Sequence, residues 1–179
     1  MMKRNAFFFD RDGIVNKRIH CGYVTNPDEF EFLPDFIPLF QLVNQRGYFT
    51  AVITNQQGIG KGLMSENDLS DVHNHMQINL LKLTNFSFGA IYFCGELHEA
   101  ASARRKPNPG MLLEAIDDYS LDPEVSFMIG DSISDVQAGK SAGCTTILIG
   151  DYQKTNIPEA DYCFGTLEEC RVFLETYLQ

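Results

Sequence analysis

Ala6-Phe7-Phe8-Phe9-Asp10-Arg11-Asp12-Gly13 is an aromatic, apolar run that ends in two aspartates one residue apart, followed by a glycine. Such a run reads as a buried β-strand. Side chains alternate along a strand, so Asp10 and Asp12 project from one side at its end. Two carboxylates placed that way can share a divalent cation or divide the work of nucleophile and proton carrier. Gly13 lets the backbone turn tightly behind them. Taken alone, D-x-D-G is also the pattern of a plain acidic turn at a strand end. The groups further along the chain decide between these readings.

Strand-like runs recur at 48–53, 90–93, 125–129 and 145–149, with helix-like segments between most of them. Residues 33–45 carry apolar positions at helical spacing, and Gly47 supplies a stop. Ser65-Glu66-Asn67-Asp68 reads as a capping box opening a long helix over 65–83. Asn108-Pro109 reads as a cap followed by a first-turn proline, opening a helix over 108–119. Shorter helices are predicted over 132–142, stopped by Gly143, and over 167–178. Strands alternating with helices predict an α/β fold with a mainly parallel sheet covered on both faces. Sites in such sheets lie beyond the carboxyl ends of the strands.

The 179 residues suit a single domain spanning 1–179. An inserted cap domain would need about 50 further residues between strands. The longest stretch without a confident element, 16–33, is too short for that, so a capless protein with an open site is expected. The net charge of −10 argues against nucleic acid as a partner, because a phosphate backbone demands an excess of Lys and Arg. Arg104-Arg105-Lys106 is a local exception. The five cysteines form no C-x-x-C, and the apolar run after Met1–Arg4 breaks at Asp10. No stretch reaches the roughly 20 apolar residues that a membrane span needs. Reduced thiols, no membrane and a cytoplasmic location are the expectation.

Chemistry-bearing groups recur at the strand ends. Asp10 and Asp12 follow the first strand, and Thr54-Asn55-Gln56-Gln57-Gly58 follows the second. Arg105-Lys106-Pro107 comes after the third and its loop, and Gly130-Asp131-Ser132-Ile133-Ser134-Asp135 after the fourth. Singly, Thr54 reads as a local cap, Lys106 as a solvated lysine and Asp131 as a helix cap. Together they equip one rim to move a phosphoryl group with Mg²⁺. Asp10 would attack phosphorus and form an aspartyl-phosphate. Asp12 would protonate the leaving oxygen and later deprotonate water, with repulsion from Asp10 raising its pKa. Asp10, a backbone carbonyl at Asp12 and Asp131 would hold Mg²⁺. Thr54 and backbone N–H groups would bind phosphoryl oxygens, and Lys106 would offset their charge.

The four motifs FFFDRDG, VITNQ, RRKPNPGM and MIGDSISDVQAG resemble, in order and spacing, those of the haloacid dehalogenase superfamily of phosphatases. Gly22-Tyr23-Val24 with Phe30-Glu31-Phe32, and TNQQGIGKG at 54–62, are similar more narrowly to heptose bisphosphate phosphatases and the related histidinol-phosphate phosphatases. The resemblance implies a Rossmann-like three-layer α/β/α fold without a cap. It also implies nucleophile Asp10, acid/base Asp12, Mg²⁺ on Asp10, Asp12 and Asp131, and phosphoryl-stabilising Thr54 and Lys106. Gly22, Tyr23, Asn55, Gln56, Gln57 and Arg105 match substrate-contact positions, and Asp135 would orient Lys106 or the metal's waters. A monomer is the expected state by the same resemblance.

Two departures stand out. Ile14 follows the first motif where threonine or valine is usual. The heptose family also carries a zinc loop of C-x-H and C-x-C before the lysine motif. Here Cys94 holds the first position, Glu96 replaces the histidine, the loop is shorter and Ala103-Arg104 has no cysteine. Cys94 and His98 fall short of the four ligands of a structural zinc, so no zinc is expected. His73 and His75, two apart on a helix, read as surface residues. Arg104, a cation in place of a zinc ligand, favours a second phosphate on the substrate. The expected function is Mg²⁺-dependent hydrolysis of a small phosphorylated metabolite, a sugar (heptose) bisphosphate first of all. A histidinol-phosphate phosphatase, a polynucleotide 3′-phosphatase and an inactive phosphate-binding protein are the alternatives.

Overall fold

The computed structural model describes residues 4–152 and 159–179. Six strands, β1 (Ala6–Phe9), β2 (Phe49–Asn55), β3 (Ala90–Cys94), β4 (Phe127–Gly130), β5 (Thr145–Ile149) and β6 (Tyr162–Phe164), form one sheet in the order β3-β2-β1-β4-β5-β6. Every pairing is parallel. The helices are α1 (Phe36–Gln45), α2 (Glu66–Thr84), α3 (Gly110–Asp118), α4 (Ile133–Ser141) and α5 (Leu167–Tyr177).

Alternation along β1 builds both halves of the core. Phe7 and Phe9 turn to the face covered by α1, α2 and α5, where they meet Phe36, Phe40, Met76 and Leu174. Ala6 and Phe8 turn to the face covered by α3 and α4, among Met111, Leu112 and Ala138. All four β1 residues are fully buried. Each phenylalanine so buried contributes about 1.5–3 kcal/mol. Phe7 also stacks on Phe127 of β4 at 4.6 Å, and Phe9 meets Phe36 edge-on at 5.5 Å. This three-layer α/β/α arrangement is the one expected. Among the described residues no folded unit is inserted between strands, and no helix is long and apolar enough to cross a membrane.

Local details depart from expectation at four places. The helix predicted from Asn108 starts at Gly110, because Asn108 gives its side-chain amide to the Ser102 carbonyl (2.8 Å) rather than capping. Val125, expected in a strand, lies in a 3₁₀ turn over Pro123–Val125, and the strand begins two residues later. The first helix begins at Phe36, not at residue 33. The sixth strand, three residues long, carried no readable pattern. The capping box is present as predicted: Ser65 Oγ accepts from the Asp68 backbone (3.1 Å), and Asp68 Oδ2 accepts from the Ser65 backbone (2.7 Å).

Candidate active site

Register brings the motif residues to one edge. Phe9 pairs with Val52 on one side and Ile129 on the other, so the chain leaves β1, β2 and β4 side by side. Asp10 is still tied to the sheet, its N–H donating to the Ile129 carbonyl (2.9 Å). Asn55, at the end of β2, clamps the Lys106 backbone: its amide donates to the Lys106 carbonyl (3.0 Å) and its oxygen accepts from the Lys106 N–H (3.1 Å).

So held, the Lys106 side chain runs into the floor of the site. Its ammonium meets Asp10 Oδ1 (2.8 Å), the Ile53 carbonyl (2.7 Å) and Asp135 Oδ1 (2.6 Å). The first two are hydrogen bonds, and Asp135 Oδ1 faces the ammonium as an ion pair outside hydrogen-bond geometry. Asp135, in the first turn of α4, accepts through Oδ2 from the Ser132 backbone (3.0 Å) and hydroxyl (2.6 Å). Gly130 makes this approach possible, since a Cβ there would lie 2.2 Å from Asp135 Cβ. Burial pushes Asp10 above the ordinary carboxylate range, with Asp135 and Asp131 adding to the push and Lys106 opposing it. Burial would strip the charge from Lys106, but Asp10 and Asp135 outweigh it and hold the ammonium.

Asp131 stands in front of this trio. Gly13 turns with φ +97°, and a Cβ on it would fall 2.0 Å from Asp131 Oδ2, so only glycine fits there. Burial and Asp135 raise Asp131 to about 6 against the pull of Arg18. Among the described residues, Asp10, Asp131 and Asp135 can bring carboxylate oxygens within 4.8 Å of one another. Asp135 is committed to Lys106 and Ser132, which leaves Asp10, Asp131 and the Asp12 carbonyl as an all-oxygen set. That donor chemistry fits a hard cation such as Mg²⁺.

The back wall is built on Arg11, which is fully buried. Its Nη2 donates to Asp12 Oδ1 (3.0 Å) and Oδ2 (2.9 Å) and to Gln56 Oε1 (3.3 Å). Its Nη1 lies 3.2 Å from His73 Nε2. Arginine only donates, so that nitrogen accepts and the His73 proton sits on Nδ1. Burial, and then the Arg11 charge, lower His73 to about 3 and keep it neutral. His73 is therefore a buried member of this wall, not the surface residue expected. Asp12 also accepts from Asn16 (3.0 Å) and Gln56 (2.8 Å). Burial raises its pKa, but Arg11, Asn16 and Gln56 together bring it below the usual range. The expectation that Asp10 would raise Asp12 is reversed, because the guanidinium contacts Asp12 directly.

A cavity of about 410 Å³ opens over these groups, lined in part by Asp10, Asp12, Tyr23, Asn55, Gln57 and Arg105. Gly22, Lys106 and Asp135 also reach it, as do Arg18, Lys61 and Ser134, which the sequence did not single out. Gln56 is fully buried behind Asp12, and Thr54 is buried with its hydroxyl accepting from Gln56 (2.9 Å). Arg104 pairs with Glu114 of α3 (2.8 Å) and borders a neighbouring hollow instead of this cavity. Cys94 is buried, its thiol 3.6 Å from Glu96 Oε2 and 3.8 Å from Ser102 Oγ, while His98 is exposed.

A family profile described as HAD-hydrolase-like matches residues 103–170. A D-glycero-alpha-D-manno-heptose-1,7-bisphosphate 7-phosphatase of Burkholderia mallei is 38% identical over 167 residues, covering 89% of this chain and 87% of its own. The chain belongs to the haloacid dehalogenase superfamily, in its heptose-bisphosphate phosphatase family. A beta-anomer 7-phosphatase of Helicobacter pylori in that family is 39% identical over 142 residues, covering 79% and 81%. The crystal structure of the D,D-heptose 1,7-bisphosphate phosphatase from B. bronchiseptica, complexed with magnesium and phosphate, superposes with a TM-score of 0.86 at 30% identity, covering 98% of this chain and 99% of that one.

Several members of the site were missed from sequence. Arg11 carried a signal: a cation flanked by two aspartates has a carboxylate within reach of its side chain. His73 shares helical spacing with the buried Leu69, Met76 and Leu80. Arg18 lies in a stretch with no regular element and carried none.

Proposed function

We propose that this phosphatase hydrolyses the 7-phosphate of a heptose 1,7-bisphosphate, with Mg²⁺ as cofactor and Asp10 as nucleophile. The observation that carries the reading is the buried trio of Asp10, Lys106 and Asp135 at the floor of a cavity whose wall presents Asp12. Lys106 holds Asp10 Oδ1, leaving the second oxygen to attack phosphorus. The bond from phosphorus to the substrate oxygen breaks as the bond to Asp10 forms, and Asp12 delivers a proton to the departing oxygen. Water then attacks phosphorus, Asp12 takes its proton, and inorganic phosphate leaves with Asp10 restored. The Arg11 wall keeps resting Asp12 ionised, the form the second half needs. An arriving phosphate anion beside it opposes that charge and favours the protonated form needed first. Asp10, Asp131 and the Asp12 carbonyl would hold Mg²⁺, which would neutralise charge on the transferring phosphoryl group.

The names of the relatives support the heptose bisphosphate. So does the lining, where Arg18, Lys61 and Arg105 add positive charge around a single buried lysine. Such a wall suits a substrate with a second phosphate better than one with a cationic amine. The test measures phosphate release from heptose 1,7-bisphosphate, histidinol phosphate and a 3′-phosphorylated oligonucleotide, with Asp10→Asn as control. Highest kcat/KM on the bisphosphate, abolished in the control and by chelation, is expected. Preference for another substrate would overturn the substrate, and release no greater than the control would overturn the enzyme.

A further inference from the structure

Two of the oxygens suited to the metal are already engaged by a side chain. Arg18 Nη2 donates to the Asp12 carbonyl (3.0 Å) and to Asp131 Oδ1 (2.8 Å). One cationic nitrogen thus bridges two members of the Asp10, Asp12, Asp131 donor set, as a bound cation would. Charge explains why it is held there. Asp10, Asp131 and Asp135 converge on one point, and Lys106 alone supplies too little positive charge to balance them. The Arg18 side chain is 55% exposed, so solvent reaches the pair and the guanidinium can exchange out of it. Arg11 is the contrast, fully buried on the far side of Asp12.

We infer that Arg18 is a built-in competitor for the divalent cation: it holds the Asp12 carbonyl and Asp131 until metal displaces it, and displacement frees its guanidinium for the anionic substrate. The inference rests on the Mg²⁺-dependent reading above. Mg²⁺ concentrates two charges and prefers oxygen donors in a tight octahedron, so it takes the oxygens from a spread monovalent guanidinium. Arg18 lines the same cavity as Tyr23, Lys61 and Arg105, so once released it remains on the substrate's side of the wall. Metal binding then has two linked effects: it completes the reaction centre and adds a cation to the recognition surface.

The decisive experiment is calorimetric titration of the full chain with Mg²⁺ alone, comparing wild type, Arg18→Ala and Arg18→Lys. Arg18→Ala should bind Mg²⁺ about two- to fivefold more tightly, the size of one partly exposed charge pair removed from competition. Arg18→Lys, which keeps the charge and loses the planar fork, should fall between the two. At saturating Mg²⁺, Arg18→Ala should show a raised KM for the bisphosphate and little change in kcat. Unchanged or weaker Mg²⁺ affinity in Arg18→Ala overturns the competition while leaving the phosphatase reading standing. An unchanged KM overturns the handover to substrate. No Mg²⁺ binding by the wild type overturns both the inference and the metal dependence beneath it.

Discussion

The floor around Lys106 and the wall around Arg11 are both built on a buried cation, and they differ in what the cation faces. Lys106 touches Asp10 and Asp135, both of which line the cavity, and reaches the cavity itself. Arg11 touches Asp12, Gln56 and His73 and does not line it. In the mechanism proposed above, the lysine meets charge that develops during the reaction. The arginine is placed to orient one carboxylate from behind, and it needs its own support in Gln56 and a neutral histidine. The same kind of charge at the same depth therefore faces the cavity in one region and stands behind its wall in the other.

Removing Lys106 should have the largest effect on turnover. Lys106→Met is expected to lower kcat by about 100- to 1,000-fold, the scale of losing one electrostatic donor at a reacting centre, read by steady-state phosphate release. Arg11→Met should act on stability as well as rate. Breaking the pair with Asp12 is expected to cost about 3 kcal/mol in a urea melt, the low end for buried pairs because Asp12 is partly exposed. A variant with full stability and normal turnover would erase the distinction between the two regions.

His73 gives the smallest and most specific effect. Its pKa is about 3 in the fold against 6.5 as a free side chain, so between these values the unfolded chain binds the extra proton. Stability from this group is complete above about pH 6.5 and is lost as pH falls towards 3, with a slope of up to about 1.4 kcal/mol per pH unit. His73→Gln, which keeps an acceptor for Arg11, should flatten that slope in urea melts at pH 4.5 to 7. Equal slopes in the two proteins would place His73 outside the wall.

The parts of the site legible in sequence are those set by strand ends. Asp10, Asn55 and Asp131 each follow an apolar run, and a parallel sheet brings such positions to one edge. What stayed hidden depends on contacts between distant segments. Arg11 meets His73 across 62 residues, and nothing local in α2 announces an arginine. The ionised state of Asp12 follows from that same arginine, so a pKa argued from Asp10 alone took the wrong sign. Asn108 had the sequence of a helix cap, yet Ser102, in the loop before it, took its side chain. The short β6 earns its place by pairing with β5, not by a pattern of its own.

The position of β1 has a consequence for how the chain is made. It is the first strand in the sequence but lies third across the sheet, between β2 and β4. Emerging from the ribosome, it gains β2 as a neighbour some forty residues later and waits past residue 126 for β4. During that interval one edge of Phe7-Phe8-Phe9 is an unpaired aromatic strand, the surface on which nascent chains associate with one another. The strand that leads into Asp10 is thus also a place where an incomplete copy of this protein is exposed to aggregation.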